Sequence, residues 1–77
     1  MKTVLVVDDE YLIRWALKEG LKDHYRILTA DSVDEAQSVL EAQPVDAVLT
    51  DIRMPLRSGV ELVKLVRGRR PEVKVFV

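Results

Sequence analysis

Three aspartates stand where they could do chemistry together. Asp8 and Asp9 close an apolar run, Thr3-Val4-Leu5-Val6-Val7, and Asp51 closes another, Ala47-Val48-Leu49-Thr50. In open α/β sheets ligands gather outside the carboxyl ends of the strands, where strand order reverses. If these two strands are neighbours, three negative charges meet in one crevice. Such a cluster is unfavourable unless a proton or a cation neutralises it. An all-oxygen site with few ligands and room for water suits Mg2+ better than zinc. A carboxylate beside bound Mg2+ can in turn act as a nucleophile toward phosphorus. A plainer reading uses the same residues, with Asp8 and Asp9 capping the next helix and Asp51 opening a turn. Such caps are common at strand-to-helix junctions, and spacing alone does not separate the two readings.

The elements that must position these acids follow from hydrophobic period. Thr3 to Val7 is continuously apolar and β-branched, which predicts a strand covered on both faces, as in a parallel sheet. From Tyr11 to Lys22 the period changes. Ile13, Ala16, Leu17, Gly20 and Leu21 form the stripe of an amphipathic helix, with Asp9 placed to cap its first turn. Tyr25 to Ala30 is a second strand, more polar and suited to an edge. Ser32-Val33-Asp34-Glu35 matches a capping box and opens a helix with Val33, Ala36, Val39 and Leu40 inward, ending before Pro44. Ala47 to Thr50 is a third strand, followed by a loop from Ile52 to Arg57 that contains Pro55. Ser58-Gly59-Val60-Glu61 repeats the capping box and opens a third helix bearing Val60, Leu62, Val63 and Val66. Gly68 reads as its stop, with Pro71 beyond. Val73 to Val77 is a fourth strand. The order β-α-β-α-β-α-β implies an α/β fold with a parallel sheet and right-handed crossovers. Strand order is not readable from the sequence.

Composition excludes much else. Seventy-seven residues make at most one domain, too small for a two-domain enzyme or a deep enclosed cavity. With 48% hydrophobic residues and a net charge of −1, the chain is not a disordered tail. The near-neutral charge and 5% aromatic content give no case for nucleic acid as a direct partner of this segment. No apolar run approaches the roughly 18 to 20 residues of a membrane span. The absence of cysteine fits a reducing cytoplasm and removes thiolate metal sites. Arg67, Arg69 and Arg70 cluster at the end of the third helix, where they complement its carboxyl end. His24 reads as a surface turn residue, and Trp15 as core or partner-covered surface. No Gly-rich phosphate-binding motif occurs, which demotes the nucleotide-binding members of the wider flavodoxin-like group.

Two stretches carry a resemblance. Val4 to Asp9-Glu10, followed by Ile13-Arg14-Trp15, is similar to the first strand and acidic pair of two-component response-regulator receiver domains. Leu49-Thr50-Asp51-Ile52-Arg53-Met54-Pro55, with Gly59 four residues on, resembles their phospho-acceptor strand and the loop after it. The Asp-Ile-Arg-Met-Pro wording and Ile-Arg-Trp are most similar to receivers that precede enhancer-binding ATPase domains in transcription activators. The resemblance covers the whole chain and implies a flavodoxin-like parallel sheet of βα units and a regulatory phospho-acceptor rather than an enzyme. It implies that Asp51 accepts phosphoryl from a sensor histidine kinase in a cytoplasmic phosphorelay. Asp8 and Asp9 would hold Mg2+, Asp9 more directly and Asp8 partly through water. Arg53 would offer only its backbone carbonyl to the metal, and Pro55 and Gly59 would shape the adjoining loop.

The resemblance also has a limit. Complete receivers have five strands and five helices, with a Thr or Ser after the fourth strand and a Lys after the fifth. Neither position has a match here, since Lys74 falls inside the fourth strand. The expectation is therefore an incomplete receiver over residues 1–77, ending after the fourth strand and lacking the last strand and two helices. Without the hydroxyl and the Lys, switching should be absent and phosphorylation weakened more than metal binding. The fourth strand would then be an exposed apolar edge, and the face of the first helix with Leu17 and Leu21 would be partly uncovered. Self-association, by edge pairing or exchange of elements between chains, is the expected consequence. A truncated fragment that does not switch is the alternative to a working receiver. A small flavodoxin-like metal- or phosphate-binding enzyme ranks well below both.

Overall fold

The apolar run that opens the chain forms β1 (Thr3–Val7), buried along nearly its whole length. It is followed by α1 (Tyr11–Leu21), β2 (Arg26–Ala30), α2 (Val33–Ala42), β3 (Ala47–Thr50), α3 (Gly59–Arg69) and β4 (Lys74–Phe76). The computed structural model describes residues 1–51 and 58–77, and the expected loop from Ile52 to Arg57, with Pro55, lies outside the described residues. All strand pairs are parallel, in the order β2-β1-β3-β4. β2 is an edge, as its polarity suggested. β1 and β3 are neighbours, with Val7 opposite Thr50, so both acid-terminated strands end side by side.

Alternation along β1 divides its side chains between two unequal faces. Leu5 and Val7 join Ala30, Val33, Ala36, Leu40, Val48, Leu62, Val66 and Val73 in one cluster, which α2 and α3 cover. Val6 is buried on the opposite side, where Leu17 and Leu49 line a shallow cleft with it. No residue of α1 is fully buried. Its half-buried residues are Arg14, Leu17 and Leu21, whereas Ile13, Ala16 and Gly20 of the expected stripe are exposed. At 100° per residue, the inward face is turned by about 60° from the hydropathic stripe. The rotation places Arg14 on the inward phase, where it reaches the loop after β1.

Backbone ends are satisfied by specific partners. Ser32 Oγ accepts from the Glu35 amide at 3.1 Å, the first half of the expected capping box. The Glu35 carboxylate, however, accepts from the Asp31 amide, one residue earlier than the motif predicts. Ser58 caps α3 through the Val60 amide at 3.1 Å. At the amino ends of the strands, Asp46 ties three of them together. Its carboxylate accepts from the Thr3 amide at 2.8 Å, its amide donates to the Thr3 carbonyl, and its carbonyl accepts from the Lys74 amide.

Two expectations for α3 need correction. Val60 is exposed, because Leu62 and Val66 already fill the inward stripe. Gly68 is inside the helix, not its stop: α3 continues through Arg69 and ends at Arg70, whose φ of −136° and ψ of 67° have left the helical region. Pro71 causes the break, since its ring disfavours helical geometry in the residue before it. A Cβ added at Gly68 meets nothing within 4 Å. Gly68→Ala should therefore raise stability by about 0.5–1 kcal/mol, read from urea denaturation. A loss of stability would mean that the position needs glycine after all.

Candidate functional site

Two strand-ladder bonds continue past the strands and fix the acids. The Asp8 amide donates to the Ala30 carbonyl at 3.1 Å, and the Asp51 amide to the Val7 carbonyl at 3.0 Å. Chain order reverses here, for β1 is followed in sequence by β2 on one side and flanked by β3 on the other. Asp8, Asp9 and Asp51 each place a carboxylate oxygen within 4.8 Å of the other two. Asp8 is buried, Asp51 half-buried and Asp9 exposed, so the cluster opens to solvent on the Asp9 side. Of the residues expected at the site, Arg53 and Pro55 lie outside the described residues. Gly59 is buried as the first residue of α3.

Asp9 does not cap α1. The N-cap is Glu10, which makes no side-chain cap bond, and the Asp9 carboxylate belongs to the acidic cluster instead. The turn is organised by Asp8, whose Oδ1 accepts from the Glu10 amide at 2.9 Å. Arg14 then closes the turn twice. Its amide donates to the Glu10 carbonyl at 3.2 Å, and its Nη1 to the Asp8 carbonyl at 2.8 Å. On the other strand, buried Thr50 donates from Oγ1 to the Asp51 carbonyl at 3.1 Å. Sequence reasoning missed the part played by Arg14, although its phase with Leu17 and Leu21 was a usable signal. A polar residue on an inward stripe, one turn from an acidic loop, needs a partner.

Two unit charges this close repel by about 1 kcal/mol in bulk water and about 3 kcal/mol under the screening typical near a protein surface. Three carboxylates multiply that cost, and a divalent cation reverses its sign. The donor set fits Mg2+: it is all oxygen, anionic, and open enough on one side to leave coordinating water in place. Oxygens of one octahedral shell lie about 3 to 4 Å apart, so a small side-chain movement or a bridging water completes the fit.

The remaining candidates do not join this cluster. His24 is exposed in the turn after α1, Trp15 is 54% exposed, and Lys74 is exposed within β4. Arg67 and Arg69 lie in the last turn of α3, with Arg70 as its C-cap. Among the described residues, no helix is long and apolar enough to cross a membrane.

Comparison with known proteins gives the arrangement its context. The chain is 51% identical over 71 residues to the hydrogenase transcriptional regulatory protein HoxA of Cupriavidus necator, covering 92% of this chain and 15% of that protein. It is 38% identical over 77 residues to the DNA-binding transcriptional regulator NtrC of Escherichia coli, covering 96% of this chain and 16% of that one. Both are transcriptional regulators, in agreement with the narrower resemblance drawn from Asp51 to Pro55. Among solved structures, the response regulator protein TrrA of Thermotoga maritima, in complex with Mg2+-BeF, superposes with a TM-score of 0.91 at 41% identity. That match covers 97% of this chain and 66% of TrrA. TrrA in complex with the histidine kinase ThkA matches with a TM-score of 0.89. The chain thus spans about 15% of the regulators' length and just under two thirds of TrrA. The sequence model of the response regulator receiver domain matches residues 4–77, nearly the whole chain. With four parallel strands and three helices among its described residues, and acids at the ends of β1 and β3, the chain belongs to the response-regulator receiver domain family.

Proposed function

We propose that Asp51 is the phospho-acceptor of this receiver, with Mg2+ held by Asp8, Asp9, Asp51 and the backbone carbonyl of Arg53. The observation that carries the reading is the convergence of three carboxylates from two adjacent strands within 4.8 Å. Caps alone would not bring them together, and Asp9 does not cap. Asp9, exposed, would meet the metal directly. Asp8 already accepts a backbone hydrogen bond at Oδ1 and would contribute partly through water.

The donor would be a phosphohistidine on a sensor histidine kinase. A carboxylate oxygen of Asp51 attacks phosphorus, the phosphorus–nitrogen bond breaks, and the imidazole leaves with the electron pair. When bound, Mg2+ supplies charge neutralisation for the phosphoryl oxygens and the attacking carboxylate. The protein's share is position. Ladder bonds at Asp8 and Asp51 fix the two strand ends, and the Thr50 hydroxyl holds the Asp51 carbonyl. The complex of ThkA with TrrA, a structural relative, supports a kinase as partner. The parent protein would be a cytoplasmic transcription regulator, as HoxA and NtrC suggest.

A second reading concerns the chain as it stands. Leu12 is 72% exposed and Phe76 56% exposed, and among the described residues β4 pairs with β3 and with no other strand. An apolar helix face and an apolar sheet edge favour association between copies, by edge pairing or by exchange of elements. In this reading copies of the chain associate with one another through these two surfaces.

Three outcomes are expected. Incubation with Mg2+ and a small acyl phosphate should add one phosphoryl mass to the chain and none to Asp51→Asn. Labelling of both, or of neither, sinks the assignment of Asp51. Saturation with Mg2+ at about 100 times its Kd should add about 2.7 kcal/mol of stability. For a domain of this size that raises the melting temperature by about 10 °C or more, and Asp9→Asn should lose most of the rise. An unchanged melting temperature at millimolar Mg2+ argues against the metal site. Light scattering should give a mass above that of one chain and rising with concentration, whereas a constant monomer removes the second reading.

A further inference from the structure

We propose that Arg14 is a positioning residue for the metal site, a latch that holds the turn from Asp8 to Glu10 in its metal-binding shape. The inference rests on the reading of Asp8, Asp9 and Asp51 as a Mg2+ site and deepens it. Three hydrogen bonds bracket Asp9, the exposed member of the cluster. The Glu10 amide donates to Asp8 Oδ1 at 2.9 Å, the Arg14 amide to the Glu10 carbonyl at 3.2 Å, and Arg14 Nη1 to the Asp8 carbonyl at 2.8 Å. The second is the first backbone bond of α1 and does not depend on the side chain; the third is the bond that only the Arg14 guanidinium makes. Its guanidinium is itself steadied over the Tyr11 ring, 5.7 Å from the centroid.

The acceptor is what makes this a positioning role. A guanidinium bound to the carboxylates would compete with Mg2+ for the same oxygens. Bound to the Asp8 carbonyl, it fixes the loop without drawing on them. Its position in the helix supports the assignment: Arg14 occupies the inward phase of α1 with Leu17 and Leu21, where an aliphatic side chain would otherwise pack.

Two effects oppose each other here, and they differ in sign. The positive charge of Arg14 disfavours a nearby divalent cation, while the latch favours it by holding Asp8 and Asp9 in place beforehand. Arg14 is half-buried and bound to the acidic turn itself, inside the screening length of about 8 Å at 0.15 M salt, so salt weakens its repulsion only in part. The geometric effect does not fade with salt. Positioning is the larger of the two in this proposal, and the Mg2+ affinity of a variant without the charge reads the difference directly.

The test compares the unsubstituted chain with Arg14→Met, which keeps a long stem but loses donor and charge, and with Arg14→Lys, which keeps both. Amide hydrogen exchange in the metal-free chain reports the latch, and Mg2+ titration by calorimetry in 0.15 M salt reports its consequence. In Arg14→Met the Glu10 amide should exchange about tenfold faster, while the Leu5 and Val48 amides stay protected and show that the fold is intact. The Mg2+ Kd should rise about tenfold, at the lower end of what outer partners of metal ligands contribute. Arg14→Lys should recover most of both effects. Unchanged Glu10 exchange, or tighter Mg2+ binding by Arg14→Met, overturns the latch. No Mg2+ binding by the unsubstituted chain overturns the metal reading, and with it the purpose assigned to Arg14. Mg2+ bound equally by the unsubstituted chain and Arg14→Met overturns the latch alone.

Discussion

Same-sign charge held at short range is the constraint around which this structure is arranged. Asp8 and Asp51 cannot move apart without breaking ladder bonds to Ala30 and Val7. Those bonds in turn sit on strands whose central side chains, Leu5 and Val48, are fully buried. Full burial of one such side chain contributes about 1.5–3 kcal/mol, comparable to the repulsion of one carboxylate pair under surface screening. The core contains many such side chains and the cluster three charges, so packing prevails. The repulsion persists in the folded protein, and a cation can relieve it. The proposed divalent-ion site would in that sense be held together by the hydrophobic core.

The two faces of the sheet divide the work unevenly. α2 and α3 close over one cluster that contains most of the fully buried apolar residues, and they contact each other as well as the sheet. Among the described elements α1 is the helix on the other face, and it buries no residue completely. Its attachment is correspondingly mixed: Leu17 and Leu21 pack, and Arg14 bonds to main chain. Asp46 plays a matching part at the opposite end of the strands, where a single carboxylate and its own peptide groups secure β1, β3 and β4.

How much was legible in the sequence depended on which force decided each feature. β1 and β3 were readable to the residue because continuous burial shows directly as continuous hydrophobicity. The acids at their ends were readable for the same reason, as the places where that run stops. Strand order was not, since parallel strands with similar composition carry no mark of their neighbour, and the convergence of Asp8, Asp9 and Asp51 waited on it. Errors gathered where a hydrogen bond or a ring outweighed hydropathy. α1 is rotated from its apolar stripe and brings Arg14 inward, where it binds the Asp8 carbonyl. Asp9 leaves the cap position because Asp8 already organises the turn. α3 passes through Gly68 because Pro71, two residues beyond the helix end, sets the limit.

The same asymmetry bears on how the site can be influenced. The helix with the least buried surface is the one tied to the acidic turn, so the turn's geometry depends on the docking of a weakly held element. Regions with few buried contacts open at lower free energy than the core. A shift of α1 would carry the bonds from Arg14 to Asp8 and Glu10 with it, and so would move the carboxylates of Asp8 and Asp9 relative to Asp51. Linkage makes the relation reciprocal: whatever steadies α1 steadies the acidic turn, and a cation in the cluster steadies α1 by the same free energy. Leu12, Ile13 and Trp15, exposed on this helix, therefore sit on an element that is bonded to the acidic turn through Arg14. The contrast with α2 is instructive. That helix is held by Val33, Ala36 and Leu40, all members of the main core cluster.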